Sequence, residues 1–320
     1  MSPQTRLSLV SCFLGQLQDR FSKYHEPKDI GSKLDQLSQI DGIDGVELIY
    51  PVDFADVDLL KESLHRNNLH VSAVNLNLKS ESQWLLGSLT VPDKKVRQNA
   101  VQQIRNAMDS AAEVKASRVT IAFLNDGHDY SFEVDYGKAW KWLVEGFQEG
   151  ARHRSDIILN VEYKPNEPRV RTIVGNVSKS ILLCRDTGLD NVGVTLDFGH
   201  ALYAGENPSE SLSLLYHYEL NTYIHLNDCY RNWDWDLLPG TVNFWDFVEF
   251  FYYAKEFGYD DWMTFDVFPS RFDVVKGFKL AVEQIKKIVN MVDRIDVPAI
   301  RNSIREGTIE VAWDSIFKLI

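Results

Sequence analysis

Eight times along the chain a short run suited to a β-strand is followed by a segment with helical spacing. That rhythm limits the possible folds more than any single motif. The β-like runs fall at 8–14 (SLVSCFL), 45–50 (GVELIY), 70–77 (HVSAVNLN), 118–124 (RVTIAFL), 157–163 (IILNVEY), 192–198 (VGVTLDF), 222–226 (TYIHL) and 262–268 (WMTFDVF). Helical patterns follow near 28–40, 55–67, 93–114, 136–152, 175–188, 207–217, 243–257 and 274–293. The clearest, VPDKKVRQNAVQQIRNAMDSAAEV, opens on Pro92 and Asp93 as start signals and then repeats apolar residues at helical spacing. Eight strand–helix alternations predict an α/β fold, the (β/α)8 TIM barrel. A doubly wound sheet is the competitor, but no glycine-rich phosphate turn follows the first strand.

The length of 320 residues fits one barrel of roughly 250 residues with additions. The expected division is a catalytic barrel over 1–296 and a helical tail over 297–320, following Asp296 and containing Pro298. The tail is expected to lie outside the barrel and to touch a neighbouring subunit of a homodimer or homotetramer. A formal net charge of −12 without a basic block argues against nucleic acid or an anionic membrane as the main partner. Cys12, Cys184 and Cys229 are far apart and form no CxxC pair, so they read as reduced thiols of a cytoplasmic protein. The first fifteen residues lack the apolar length and cleavage site of a signal peptide. No run reaches the ~18 uncharged apolar residues of a membrane span.

Functional side chains of a barrel sit at the C-terminal ends of its strands. The last four β-like runs each carry a metal-ligand type near that end: Glu162 in NVEYKP, Asp197 in VTLDFG, His225 in YIHLND and Asp266 in MTFDVF. Consecutive strands would bring these groups to one side of the barrel mouth. Three carboxylates embedded in apolar neighbours repel one another unless a cation holds them. Oxygen-rich ligation with one imidazole suits Mn²⁺, Mg²⁺ or Co²⁺ better than structural zinc.

A second set lies close by. His200 follows Asp197 by three residues, and HLNDCYRNWDWDLLPG places Asp234 and Asp236 in a loop shortly after His225. His200, Asp234 and Asp236, with Asp197 as a bridge, read as a second cation site, giving two cations per subunit. Trp233 and Trp235, with Phe198, Phe268 and Tyr203, are expected to wall the pocket and stack on the apolar face of a sugar. Lys164 stands two residues after Glu162, so period-two alternation puts both on one side. An ammonium there would stabilise charge on a substrate oxygen, or else form a plain ion pair with Glu162 or Glu167.

These motifs, GVTLDFGH, EYKP and HLND followed by DWD, resemble the xylose isomerase-like superfamily of TIM barrels, above all its two-metal aldose–ketose isomerases of the xylose and L-rhamnose isomerase type. The resemblance covers roughly 157–270; across 1–150 it is only the strand–helix rhythm and GSLTVPD. It implies one metal held at Glu162, Asp197, His225 and Asp266, a second at Asp197, His200, Asp234 and Asp236, and a catalytic lysine at Lys164. The superfamily's single-metal ketose 3-epimerases use a glutamate on the last strand for proton transfer. This chain has Asp266 there, one methylene shorter, which argues against a two-glutamate epimerase.

The expected function is therefore a divalent-metal-dependent isomerase of a small free sugar, with Lys164, Glu162, His200, Asp234 and Asp236 as catalytic residues. Ketose 3-epimerisation, or decarboxylation or elimination on an oxidised sugar, is the alternative. No cluster of arginine and glycine marks a phosphate site, while Arg169 keeps an anionic sugar acid open. A sugar-binding protein with a decayed site is the non-enzymatic reading, and the complete ligand set argues against it.

Overall fold

The computed structural model describes residues 5–167 and 169–319. The first four residues, which belong to the stretch read above for a leader, lie outside them, as do Pro168 and Ile320. Eight strands close a barrel: β1 (Arg6–Val10), β2 (Gly45–Tyr50), β3 (His70–Leu76), β4 (Arg118–Ala122), β5 (Ile158–Glu162), β6 (Val192–Asp197), β7 (Asn221–Leu226) and β8 (Trp262–Phe265). Each pairs in parallel with its sequence neighbours, and β8 closes on β1. Covered on both faces, the strands are largely buried; β4 and β6 are buried at every residue.

The connecting helices are α1 (Ile30–Leu37), α2 (Val57–Arg66), α3 (Lys94–Glu113), α4 (Tyr136–Ala151), α5 (Val177–Thr187), α6 (Phe198–Tyr203), α7 (Pro208–His217), α8 (Phe244–Glu256) and α9 (Val274–Asp293). Local chemistry sets their starts. Asp93 caps α3 by accepting from the Lys95 N–H, and Asn176 caps α5 by accepting from that of Lys179. Glycine ends α5, where Gly188 takes the left-handed conformation at φ 61°.

The first β-like run overshoots, because after Val10 the chain tightens into a 3-10 turn over Ser11–Leu14. The last strand likewise stops at Phe265 and leaves Asp266 at the start of the following loop. The predicted tail is two helices, α10 (Val297–Glu306) and α11 (Ile309–Phe317). They pack on α8 of the same chain: the Trp245 ring meets Trp313 at 5.1 Å, and Arg301 pairs with Glu256. Cys12, Cys184 and Cys229 are all free thiols. No described helix is long and apolar enough to cross a membrane.

Candidate active site

Parallel register places the ligand-type residues. Asp197 pairs directly with His225 across β6 and β7, and Glu162 lies opposite Thr195, two residues before Asp197 on β6. Asp266 comes immediately after β8. One atom from each of Glu162, Asp197, His225 and Asp266 lies within 4.8 Å of the others, so these four could hold a metal ion. His225 Nδ1 stands 3.5 Å from Glu162 Oε1, 3.8 Å from Asp197 Oδ2 and 3.2 Å from Asp266 Oδ2. That nitrogen is buried and has no hydrogen-bond partner. An orphaned ring nitrogen aimed among three carboxylates makes a donor set that fits a divalent cation.

The other edge of the same ring is anchored. Nε2 lies 2.9 Å from Glu47 Oε2 on β2 and donates to it, so Nδ1 is the nitrogen free to give up its proton to a cation. Glu47 is fully buried and also accepts from the Tyr223 hydroxyl at 2.8 Å and from Asn75 Nδ2 at 2.8 Å. The sequence reading missed this brace. Its signal was visible, an acid inside the apolar run GVELIY, but it sits mid-strand rather than at the strand's end.

Asp197 has two jobs. Oδ1 accepts from the His200 N–H at 2.7 Å, capping α6, while Oδ2 accepts from Asn227 Nδ2 at 2.8 Å. A methyl group on Gly199 would lie 2.0 Å from Asn227 Oδ1, so only glycine allows this close approach. The cap turns His200 over the mouth, with Nδ1 3.4 Å from Glu162 Oε1 and Nε2 3.2 Å from Asp234 Oδ2. Lys164 Nζ lies 2.7 Å from the same Asp234 oxygen and also pairs with Glu167. Asp234 Oδ1 is left without a partner. Asp236, at φ 46°, reaches only a 3.4 Å contact from Asn227 Nδ2. The structure thus gathers the first predicted set tightly, and holds Asp234 of the second through a lysine and a histidine.

Charge in the mouth is unevenly balanced. Burial and neighbouring carboxylates raise the Asp197 carboxyl to about 7 despite His200. Asp236 and Asp266 are also pushed up, chiefly by burial. Burial acts on Glu162 too, but His225 outweighs it and draws that carboxyl down to about 2. His200 rises to about 9, since Asp197 and Asp234 overcome its burial. Asp234 and Glu167 likewise overcome burial to keep Lys164 an ammonium. Burial, with neighbouring carboxylates adding to it, is what holds the carboxyls of Asp197, Asp236 and Asp266 up.

The mouth cavity measures ≈ 330 Å³ and is lined by Glu162, Lys164, His200, Asp234, Asp236 and Asp266, together with Cys12, Phe13, Ile49, Asn75 and Lys79. The expected aromatic wall is a correction, since none of its members lines this cavity. Phe198 is fully buried, stacked on Phe247 at 3.7 Å under α8. As the first residue of α6, just past the strand's end at Asp197, it packs outward into the core. Trp233 leans on Tyr203, Trp235 is 45% exposed beside Tyr230, and Phe268 packs edge-on against Tyr24. Arg169 points to solvent, 77% exposed and 3.8 Å from Asp129, and so contributes no charge to the mouth.

Residues 34–293 match the family model described as xylose isomerase-like TIM barrel. The chain belongs to that family. Within it, a probable sugar isomerase of Mesorhizobium japonicum is 25% identical over 235 residues, 70% of this chain and 54% of that protein. A xylose isomerase of Thermus thermophilus is 26% identical over 172 residues, 50% of this chain and 44% of that protein. The chain spans about half the length of these curated relatives. Among solved structures, a D-tagatose 3-epimerase-like protein superposes with a TM-score of 0.70 at 19% identity, covering 89% of this chain and 98% of that one. An L-ribulose 3-epimerase gives 0.69 at 18%, covering 91% and 96%. At such identities the likeness is one of fold.

Proposed function

We propose that this xylose isomerase-like barrel is a divalent-metal-dependent aldose–ketose isomerase acting on a small sugar. The observation that carries the reading is the convergence of Glu162, Asp197, Asp266 and the orphaned His225 Nδ1 at the barrel mouth. These four would hold the first cation, Mn²⁺ or else Mg²⁺ or Co²⁺. His200, Asp234 and Asp236 would hold a second, with Asp197 between the two. His200 Nε2 and Asp234 Oδ2 stand 3.2 Å apart, about the ~3 Å spacing of neighbouring ligands on a small divalent ion. A cation bound here supplies Lewis-acid polarisation of adjacent sugar oxygens.

The chain's own groups supply the rest. The Lys164 ammonium lies in the cavity, held by Asp234, where charge on a carbonyl oxygen would develop. Glu162 and Asp266 are poor bases while they serve as ligands, which favours hydrogen transfer between C1 and C2 without release to solvent. The second reading, 3-epimerisation of a ketose, is the activity named for the two similar structures. It draws on the first ligand set being the more tightly gathered of the two.

One assay separates them: aldoses, ketoses and oxidised sugars supplied with Mn²⁺ in D₂O. Aldose–ketose conversion without deuterium on carbon is the expected result. Inversion at C3 with deuterium incorporated favours the epimerase, and loss of water or CO₂ from an oxidised sugar favours the lyase. No conversion across the panel by metal-loaded protein contradicts the enzymatic reading.

A further inference from the structure

Two lysines line the mouth cavity, and they are in opposite situations. Lys164 is paired with Asp234 and Glu167. Lys79, in the loop after β3, has neither an ion-pair partner nor a hydrogen-bond acceptor for its ammonium among the described residues. Its backbone is nevertheless pinned. Asn77 Oδ1 accepts from the N–H groups of Lys79 and Ser80, both at 3.1 Å, and Asn125 Nδ2 donates to the Lys79 carbonyl at 3.0 Å. A clamped loop therefore presents an ammonium without a contact partner to a cavity that also holds the acids. Apolar Phe13 and Ile49 line the same cavity.

We propose that Lys79 reads a carboxylate on the substrate, so that the sugar handled at this mouth is a carboxylated one. The inference rests on the sugar-isomerase reading of the same site and narrows its substrate class. A carboxylate fits better than a phosphate. Phosphate sites in barrels gather free backbone N–H groups, often at a helix N-terminus, and the N–H groups of Lys79 and Ser80 are already taken by Asn77. One ammonium matches one carboxylate in charge. The anion recognition expected at Arg169 thus falls to a residue that does line the mouth. The competing role for Lys79 is a counter-charge that merely offsets the acidic cluster.

The test is calorimetric titration of Mn²⁺-loaded protein with hexuronates and hexonates, their neutral parent sugars and the matching 6-phosphates. Wild type, Lys79→Gln and Lys79→Arg are compared. In wild type a carboxylated sugar should bind roughly tenfold or more tightly than its neutral parent, the scale of one charge-assisted hydrogen bond. That ratio should fall toward one in Lys79→Gln and persist in Lys79→Arg. A preference that survives Lys79→Gln places the carboxylate elsewhere and overturns the proposal. So does equal weakening of charged and neutral sugars, which is the counter-charge result. A Lys79-dependent preference for the 6-phosphates overturns the carboxylate assignment. No binding by protein that holds Mn²⁺ overturns it as well. Failure to hold Mn²⁺, seen in a prior titration with the metal alone, instead removes the reading beneath it.

Discussion

Strands β5–β8 and strands β1–β4 close one barrel and share one mouth, yet their contributions differ in kind. The later strands deliver Glu162, Asp197, His225 and Asp266, each close to a strand's C-terminal end. The earlier strands put Val10, Ile49 and Ala122 into the cavity wall, and their one deeply buried acid, Glu47, faces His225 from behind. Asn75 in turn holds Glu47. One half presents the clustered acids and histidine to the cavity, and the other orients the histidine. The His225 ring is thus oriented from across the barrel, by a strand that contributes none of the four clustered residues.

The comparison can be broken most forcefully at the charged half. Stripping divalent cations with a chelator should abolish activity and lower Tm, and added Mn²⁺ should restore both. At a metal concentration of 100 Kd the linkage is worth about 2.7 kcal/mol. Thermal unfolding with and without Mn²⁺ measures it, and full activity in excess chelator would remove the metal from the account. Next in size is Lys164→Met, expected to lower kcat by roughly 10²–10³-fold, as loss of one charge-stabilising donor does. Bound Mn²⁺, counted by elemental analysis, should not change.

The orienting half gives smaller effects. Glu47→Gln should weaken cation affinity roughly 10–100-fold, with activity returning at higher Mn²⁺. An unchanged Mn²⁺ titration would reduce Glu47 to a core polar group, and the two halves would no longer be coupled. Smallest of all, Trp235→Ala should shift stability within about ±0.5 kcal/mol and leave KM for the sugar as it was, since the ring lies on the surface. A raised KM would return the tryptophan to the pocket.

The barrel was legible because all eight strands carry an apolar signature that nothing else in the chain imitates. The cluster at its mouth was legible because acids and a histidine stood out at the ends of apolar runs. The misreadings share a cause. Aromatic residues beside the cluster were assigned to the pocket by proximity in sequence, although the start of α6 packs Phe198 into the core and the irregular loop turns Trp235 to solvent. Lys79 and Glu47 went unseen for the opposite reason. Neither sits next to a clustered residue in sequence, and only barrel closure brings β2 and the loop after β3 to the strands that carry the cluster.

The central claim is that Glu162, Asp197, His225 and Asp266 share one cation. Anomalous diffraction at the manganese edge, from crystals grown with Mn²⁺, tests it directly. The account predicts a peak bonded to His225 Nδ1 and to carboxylate oxygens of Glu162, Asp197 and Asp266, at about 2.0–2.3 Å. It also predicts that this peak is lost in Glu162→Gln/Asp266→Asn. A mouth without a peak there, or one that survives the double substitution, would contradict the claim.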